Sequence, residues 1–261
     1  MTNCLTLHYR EHGDGPPLLI LHGLFGAGGN WGRVARQLAA DYRVILVDLR
    51  NHGQSPHHPD MRYPTMAADV LALMDRLSLE RPIVLGHSMG GKVAMTLALA
   101  HPARVGRLVI VDIAPVPYAG DSHEDLISAM QALDLEAVTS RRSASDALAG
   151  AIPEAGVRQF LLTNLEQRDG VWRWRIPLTY LRDGLATVRD FPEIAGAFTG
   201  QSLFLHGGRS PYVHPDHHSS IRKRFPNSKI VGLQELGHWL HAEAPDLVYT
   251  EISRFLAESR T

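Results

Sequence analysis

The chain has a single cysteine, Cys4, so no internal disulfide can staple the fold. Cys4 stands near the start, away from every motif described below, and is expected to be a bystander. No apolar run approaches the roughly 20 residues needed to span a bilayer. The opening MTNCLTLHYREHGDG also lacks the apolar centre of a secretory leader, so a cytoplasmic, non-membrane protein is expected. Neither sign of charge dominates: 26 Lys and Arg face 27 Asp and Glu, and no basic run offers footing for nucleic acid or an anionic membrane. The glycine-rich GAGGN has no GK[ST] after it and no dinucleotide-binding placement, so no nucleotide is expected. The pairs His57-His58 and His217-His218 lack helical i, i+4 spacing and companion ligands, and they read as solvated loop residues. No metal and no cofactor are expected.

What the chain does have is enough apolar material, 44% of 261 residues, to bury one large core. Apolar, β-branched runs alternate with helix-period stretches: PLLILHG and a helix from Trp31, RVILVDL and Thr65 to Leu77, PIVLGHS and Met89 to Ala100, then RLVIVDI. This alternation predicts an α/β fold whose mostly parallel central sheet is flanked by helices. From about residue 115 to 193 the rhythm breaks into helical patterns such as HEDLISAMQAL and the aromatic piece VWRWRIPL, with no clear core strand. That segment is expected to be an inserted helical cap between core segments 1–114 and 194–261. The core resumes with SLFLHGG, a helix near Pro215 to Phe225, SKIVGLQ and a closing helix from about Pro245.

The chemistry concentrates at the predicted strand ends. In PIVLGHSMGGKVAM a strand runs into Gly86-His87-Ser88-Met89-Gly90 and a helix begins at once. This is a nucleophile elbow in the context it requires, with Ser88 strained at the turn and the helix start aimed at developing negative charge. LLILHGLFG supplies a second loop over the same edge, where the N–H of Leu24, with Phe25 as the less favoured option, can join that of Met89 as oxyanion donors. Ser88 needs a base, and among 15 histidines His238 stands where a base belongs, after the last strand and before the closing helix; His241 is its nearest rival. The base needs a carboxylate. The usual turn for it, after SLFLHGG, holds Ser210 instead. Asp112, at the end of the neighbouring strand RLVIVDI, is the favoured acid and Asp216 the second candidate, with Ser210 a possible auxiliary hydrogen-bond partner. Asp48 and Arg50, after RVILV, read as a turn-stabilising network.

Taken together, HGLFG, DLRNHGQSP, GHSMGGKVAM, VDIAPV, GGRSPYV and GHWLHAEAPD resemble the alpha/beta-hydrolase superfamily, and within it the YbfF-type esterases and their eukaryotic abhydrolase relatives. The resemblance runs from about Leu18 to Leu256. It implies an acid moved to the aspartate of VDIAP, supplied after the sixth strand. It also implies hydrolysis of carboxylic esters or acyl thioesters, with small-molecule substrates as the expected partners. Phe25, Trp172, Trp174, Tyr180 and Trp239 are expected to wall the acyl pocket. Two rival functions keep the same fold: a carbon–carbon bond hydrolase or cofactor-free oxygenase, and a non-catalytic binding module. Haloalkane or epoxide hydrolysis is disfavoured, because it needs an aspartate where Ser88 stands.

Overall fold

A computed structural model describes residues 4–120 and 122–258. The first half alternates strand and helix: β1 (Tyr9–His12), β2 (Pro17–Leu21), α1 (Gly32–Leu38), β3 (Arg43–Val47), α2 (Tyr63–Arg76), β4 (Ile83–His87), α3 (Met89–Ala100) and β5 (Arg107–Val111). Between β5 and the next core strand lie α4 (Ser122–Ala132), α5 (Arg141–Leu148), α6 (Ala155–Leu162), the strands β6 (Leu165–Arg168) and β7 (Val171–Trp174), and α7 (Leu178–Arg189). The chain then closes with β8 (Ser202–Gly207), α8 (His218–Arg224), β9 (Ser228–Leu233), α9 (Leu240–Glu243) and α10 (Pro245–Ala257).

The main sheet has seven strands in the order β1-β3-β2-β4-β5-β8-β9, parallel throughout except for the edge strand β1. Its central strands are packed by helices on both faces, which is why they read as unbroken apolar runs. Leu18 to Leu21 and Leu108 to Val111 are fully buried. Each such large apolar side chain stabilises the fold by roughly 1.5–3 kcal/mol. Among the described residues Asp112 follows the fifth strand, β5, and not the sixth.

The segment between β5 and β8 is mostly helical and adds one short hairpin outside the main sheet. Leu165–Arg168 and Val171–Trp174 form an antiparallel pair in a separate two-stranded sheet. The alternation of Leu165, Glu166, Gln167 and Arg168 against Val171, Trp172, Arg173 and Trp174 gives that hairpin one face to pack and one to solvate. Two buried hydrogen-bond sets tie the segment to the core. Lys92 on α3 donates from Nζ to the carbonyls of Arg189 and Asp190, both at 2.7 Å. Asn164 donates from Nδ2 to the carbonyl of Phe25 at 2.7 Å.

Candidate active site

β4 and β5 are in register, His87 opposite Val111, and both strands break one residue later at a positive φ. Ser88 has φ 51° and Asp112 has φ 53°, in the left-handed region that costs a non-glycine residue about 1–3 kcal/mol. Paired strand ends thus throw two side chains out at one level of the sheet edge. Ser88 is held there by its own N–H on the Val111 carbonyl at 3.0 Å, and Asp112 by its N–H on the Leu205 carbonyl at 2.8 Å. The tight turn at Ser88 requires glycine on both sides: a Cβ on Gly86 would sit 2.3 Å from the Gly90 carbonyl oxygen, and one on Gly90 would sit 2.3 Å from that of Leu21.

Asp112 is completely buried and its carboxylate accepts three hydrogen bonds. The Gly207 N–H donates to Oδ1 at 3.0 Å, His238 Nδ1–H donates to Oδ2 at 2.6 Å, and the Ser210 hydroxyl makes a short bond to Oδ2. A buried carboxylate survives only with such partners. Ser210, in the turn after β8, thus hydrogen-bonds a carboxylate that arrives from the neighbouring strand end. Asp216 is elsewhere, on the surface and paired with His214 at 3.0 Å.

His238 is positioned by backbone and rings together. Its loop reaches Asp112 because Gly207 has no side chain; a Cβ there would lie 2.3 Å from the Gly237 carbonyl oxygen. Its own carbonyl accepts a hydrogen bond from His87 Nε2 at 3.0 Å, and the Tyr212 ring packs on its imidazole with centroids 4.3 Å apart. His241 instead stacks flat on Trp31, centroids 4.4 Å apart, on the far side of His87.

The glycine-rich loop after β2 is fixed by two more histidines. His22 donates from Nδ1 to the Gly23 carbonyl and accepts the Leu49 N–H at Nε2. His52 donates to the Arg50 carbonyl and accepts the Phe25 N–H at Nε2, 3.2 Å away. The Phe25 N–H is thus already engaged. Of the two donors the sequence left open, Leu24 is the one this arrangement favours. Asp48 braces the same loop through the N–H of Gly28, while Arg50 pairs with Asp69 at 2.7 Å, so the expected network joins different partners than each other.

Burial keeps these histidines neutral. His52 and His241 are each pushed down to about 3, His87 well below its ordinary range and His22 also down. Because their folded proton affinity lies below the unfolded value, the unfolded chain binds more protons below about pH 6.5. Their contribution is fully present above that pH and is lost as pH falls toward 3, by up to roughly 1.4 kcal/mol per pH unit for each histidine. The midpoint of urea unfolding should drop steeply from pH 6.5 to 4.5; an unchanged midpoint at pH 4.5 would contradict neutral burial.

Ser88, His238, Phe25 and Trp239 wall one cavity, and Ser88, Leu24 and Met89 wall a second. The other expected pocket aromatics are not among the residues that line either. Trp174 turns its indole N–H to the Met130 carbonyl at 2.9 Å and borders a separate polar groove with Glu166 and Arg173. Trp172 shares its strand and packs against the core, and Tyr180 is half-buried on α7. Sequence reasoning also passed over His123, Tyr118 and Tyr212, which do face these cavities. His123 lies in an ordinary helical pattern, and nothing in its spacing marks it.

A family model described as the alpha/beta hydrolase fold matches residues 16–245. The sn-1-specific diacylglycerol lipase ABHD11 of Mus musculus is 43% identical over 249 residues, covering 93% of this chain and 81% of that protein. Esterase YbfF of Escherichia coli strain K12 is 37% identical over 245 residues, covering 92% of each chain. The solved structure of a marine microorganism esterase is 36% identical and superposes with a TM-score of 0.94, covering 96% of this chain and 99% of that one. With a seven-stranded hydrolase sheet, an elbow at Ser88 and relatives of this closeness over nearly its whole length, the chain belongs to the alpha/beta-hydrolase family.

Proposed function

We infer that the chain is a carboxylesterase-type serine hydrolase that cleaves carboxylic esters or acyl thioesters through an acyl-enzyme. The observation that carries this reading is the convergence of Ser88 and His238 on one cavity, with Asp112 buried behind His238 at 2.6 Å. The names of the relatives support the same class of activity.

Ser88 Oγ attacks the acyl carbon while its proton passes to His238 Nε2. Asp112 holds Nδ1–H, which leaves Nε2 free to accept and stabilises the imidazolium that forms. The N–H groups of Leu24 and Met89 hold the oxyanion, the latter reinforced by the start of α3. On collapse the acyl–oxygen or acyl–sulfur bond breaks and His238 returns the proton to the departing alcohol or thiol. Water then attacks the acyl-enzyme, gives a proton to His238, and the carboxylic acid leaves as Ser88 regains its hydrogen. The segment of residues 115–193 acts as a cap over the site, tied to the oxyanion loop by Asn164.

Continuous assay of p-nitrophenyl butyrate with the purified protein tests the reading. Steady turnover with saturable kinetics is the expected result. A folded protein that binds such esters without releasing product would instead favour the non-catalytic binding module.

A further inference from the structure

Ser88 lies where two chambers of very different size meet. The smaller, of about 50 Å³, is lined by Trp31, His87, Val157, Phe160 and Trp239. The larger, of about 520 Å³, is walled by Met89, Ile113, Pro117, Leu185 and Val188, with Tyr212 at one side. Leu24, Ser88 and His123 border both. The partition between the chambers is thus the nucleophile, the oxyanion loop and one histidine of α4.

A tetrahedral adduct on Ser88 has three further arms: the oxyanion, the acyl chain and the leaving oxygen. The oxyanion is taken by backbone N–H groups, so the two remaining arms must divide between the two chambers. The leaving oxygen has to come within hydrogen-bond reach of the His238 imidazole to receive its proton. His238 lines the small chamber and not the large one.

We propose that the small chamber takes the leaving group and the large chamber the acyl chain, so that the preferred substrates are medium- or long-chain acyl esters of very small alcohols. The proposal rests on the serine-hydrolase reading above and narrows it. A cavity of about 150 Å³ accommodates benzene; a chamber of about 50 Å³ has room for an alcohol of one or two carbons and none for a ring or a long alkyl chain. The large chamber falls within the roughly 300–1,000 Å³ that holds drug-sized ligands; the stretch of wall formed by Met89, Ile113, Pro117, Leu185 and Val188 suits a hydrocarbon chain, while Lys92, Arg189, His214 and His217 also border the chamber. A coenzyme A thiol exceeds the small chamber, which makes acyl thioesters the poorer class. His123 borders both chambers from α4, and burial pushes its imidazole down to about 4, so it presents a neutral ring at the partition.

The decisive comparison uses two isomers, methyl octanoate and heptyl acetate, which have the same composition and reverse the placement of the long chain. Both are unactivated, so departure of the alcohol depends on His238; p-nitrophenolate leaves without a proton and does not report on this chamber. Acid release by the wild-type protein and Ser88→Ala is followed by pH-stat titration. The expected result is a kcat/KM at least tenfold higher for methyl octanoate, dependent on Ser88. Phe160→Ala, which widens the small chamber, should narrow that ratio, and Leu185→Trp, which fills the large one, should lower methyl octanoate more than methyl acetate. Ser88-dependent cleavage with equal rates, or with heptyl acetate favoured, would overturn the partition while leaving the hydrolase standing. Absence of Ser88-dependent cleavage of either isomer would overturn both.

Discussion

Replacing Asp112 by Asn should lower kcat toward p-nitrophenyl butyrate on the order of 10⁴-fold with little change in KM. The size of the effect follows from which atoms surround the carboxylate. The Gly207 N–H is a pure donor aimed at Oδ1, so the oxygen of an asparagine amide must take that side. The amide nitrogen then occupies the place of Oδ2, facing His238 Nδ1, and donates where the native carboxylate accepts. His238 is driven into the tautomer with its proton on Nε2, which cannot take the proton of Ser88. Ser210→Ala should cost only about tenfold, because it removes one of three donors to a charged acceptor and leaves the tautomer unchanged. Ser210→Asp introduced into the Asp112→Asn background should restore part of the rate, since it returns a carboxylate to the other strand end beside the same histidine. Full activity in Asp112→Asn would place the acid elsewhere.

Ser88→Ala should remove turnover by about 10⁴- to 10⁶-fold. The backbone contacts that hold the elbow, from the Ser88 N–H to Val111 and from the Lys92 N–H to the Ser88 carbonyl, do not involve the hydroxyl, so the fold should persist. Circular dichroism and the urea midpoint should match the wild-type protein within about 1 kcal/mol. The residual rate would come from the Leu24 and Met89 N–H groups and from substrate positioning. KM should stay near its wild-type value.

Much of this was legible in the sequence, for reasons that can be traced to particular residues. The parallel strands are apolar on both faces, so PLLIL, RVILV and RLVIV announce themselves without any alternation. The elbow is marked because Gly86 and Gly90 must both be glycine where strand and helix nearly touch. Asp112 was readable as a charge that terminates an apolar strand. By contrast, β1 is the short polar run Tyr-Arg-Glu-His at a sheet edge, and its pairing with β3 depends on a partner far along the chain. The β6–β7 hairpin is charged on its open face and carries no core-strand signal. Trp172, Trp174 and Tyr180 show the limit of composition: aromatic side chains announce burial, but only the tertiary arrangement decides which surface they cover. His52 could be found only in three dimensions, because its role is to occupy an N–H 27 residues away.

Whether Ser88 carries the acyl group is read by mass spectrometry of protein quenched with acid during turnover of p-nitrophenyl butyrate. A single butyryl adduct is expected, mapped by proteolysis to Ser88 in the peptide containing Gly86 to Lys92, and lost in Ser88→Ala. Turnover with no adduct in acid-quenched samples or under a fluorophosphonate trap, or an adduct on any other residue, would contradict an acyl-enzyme on Ser88.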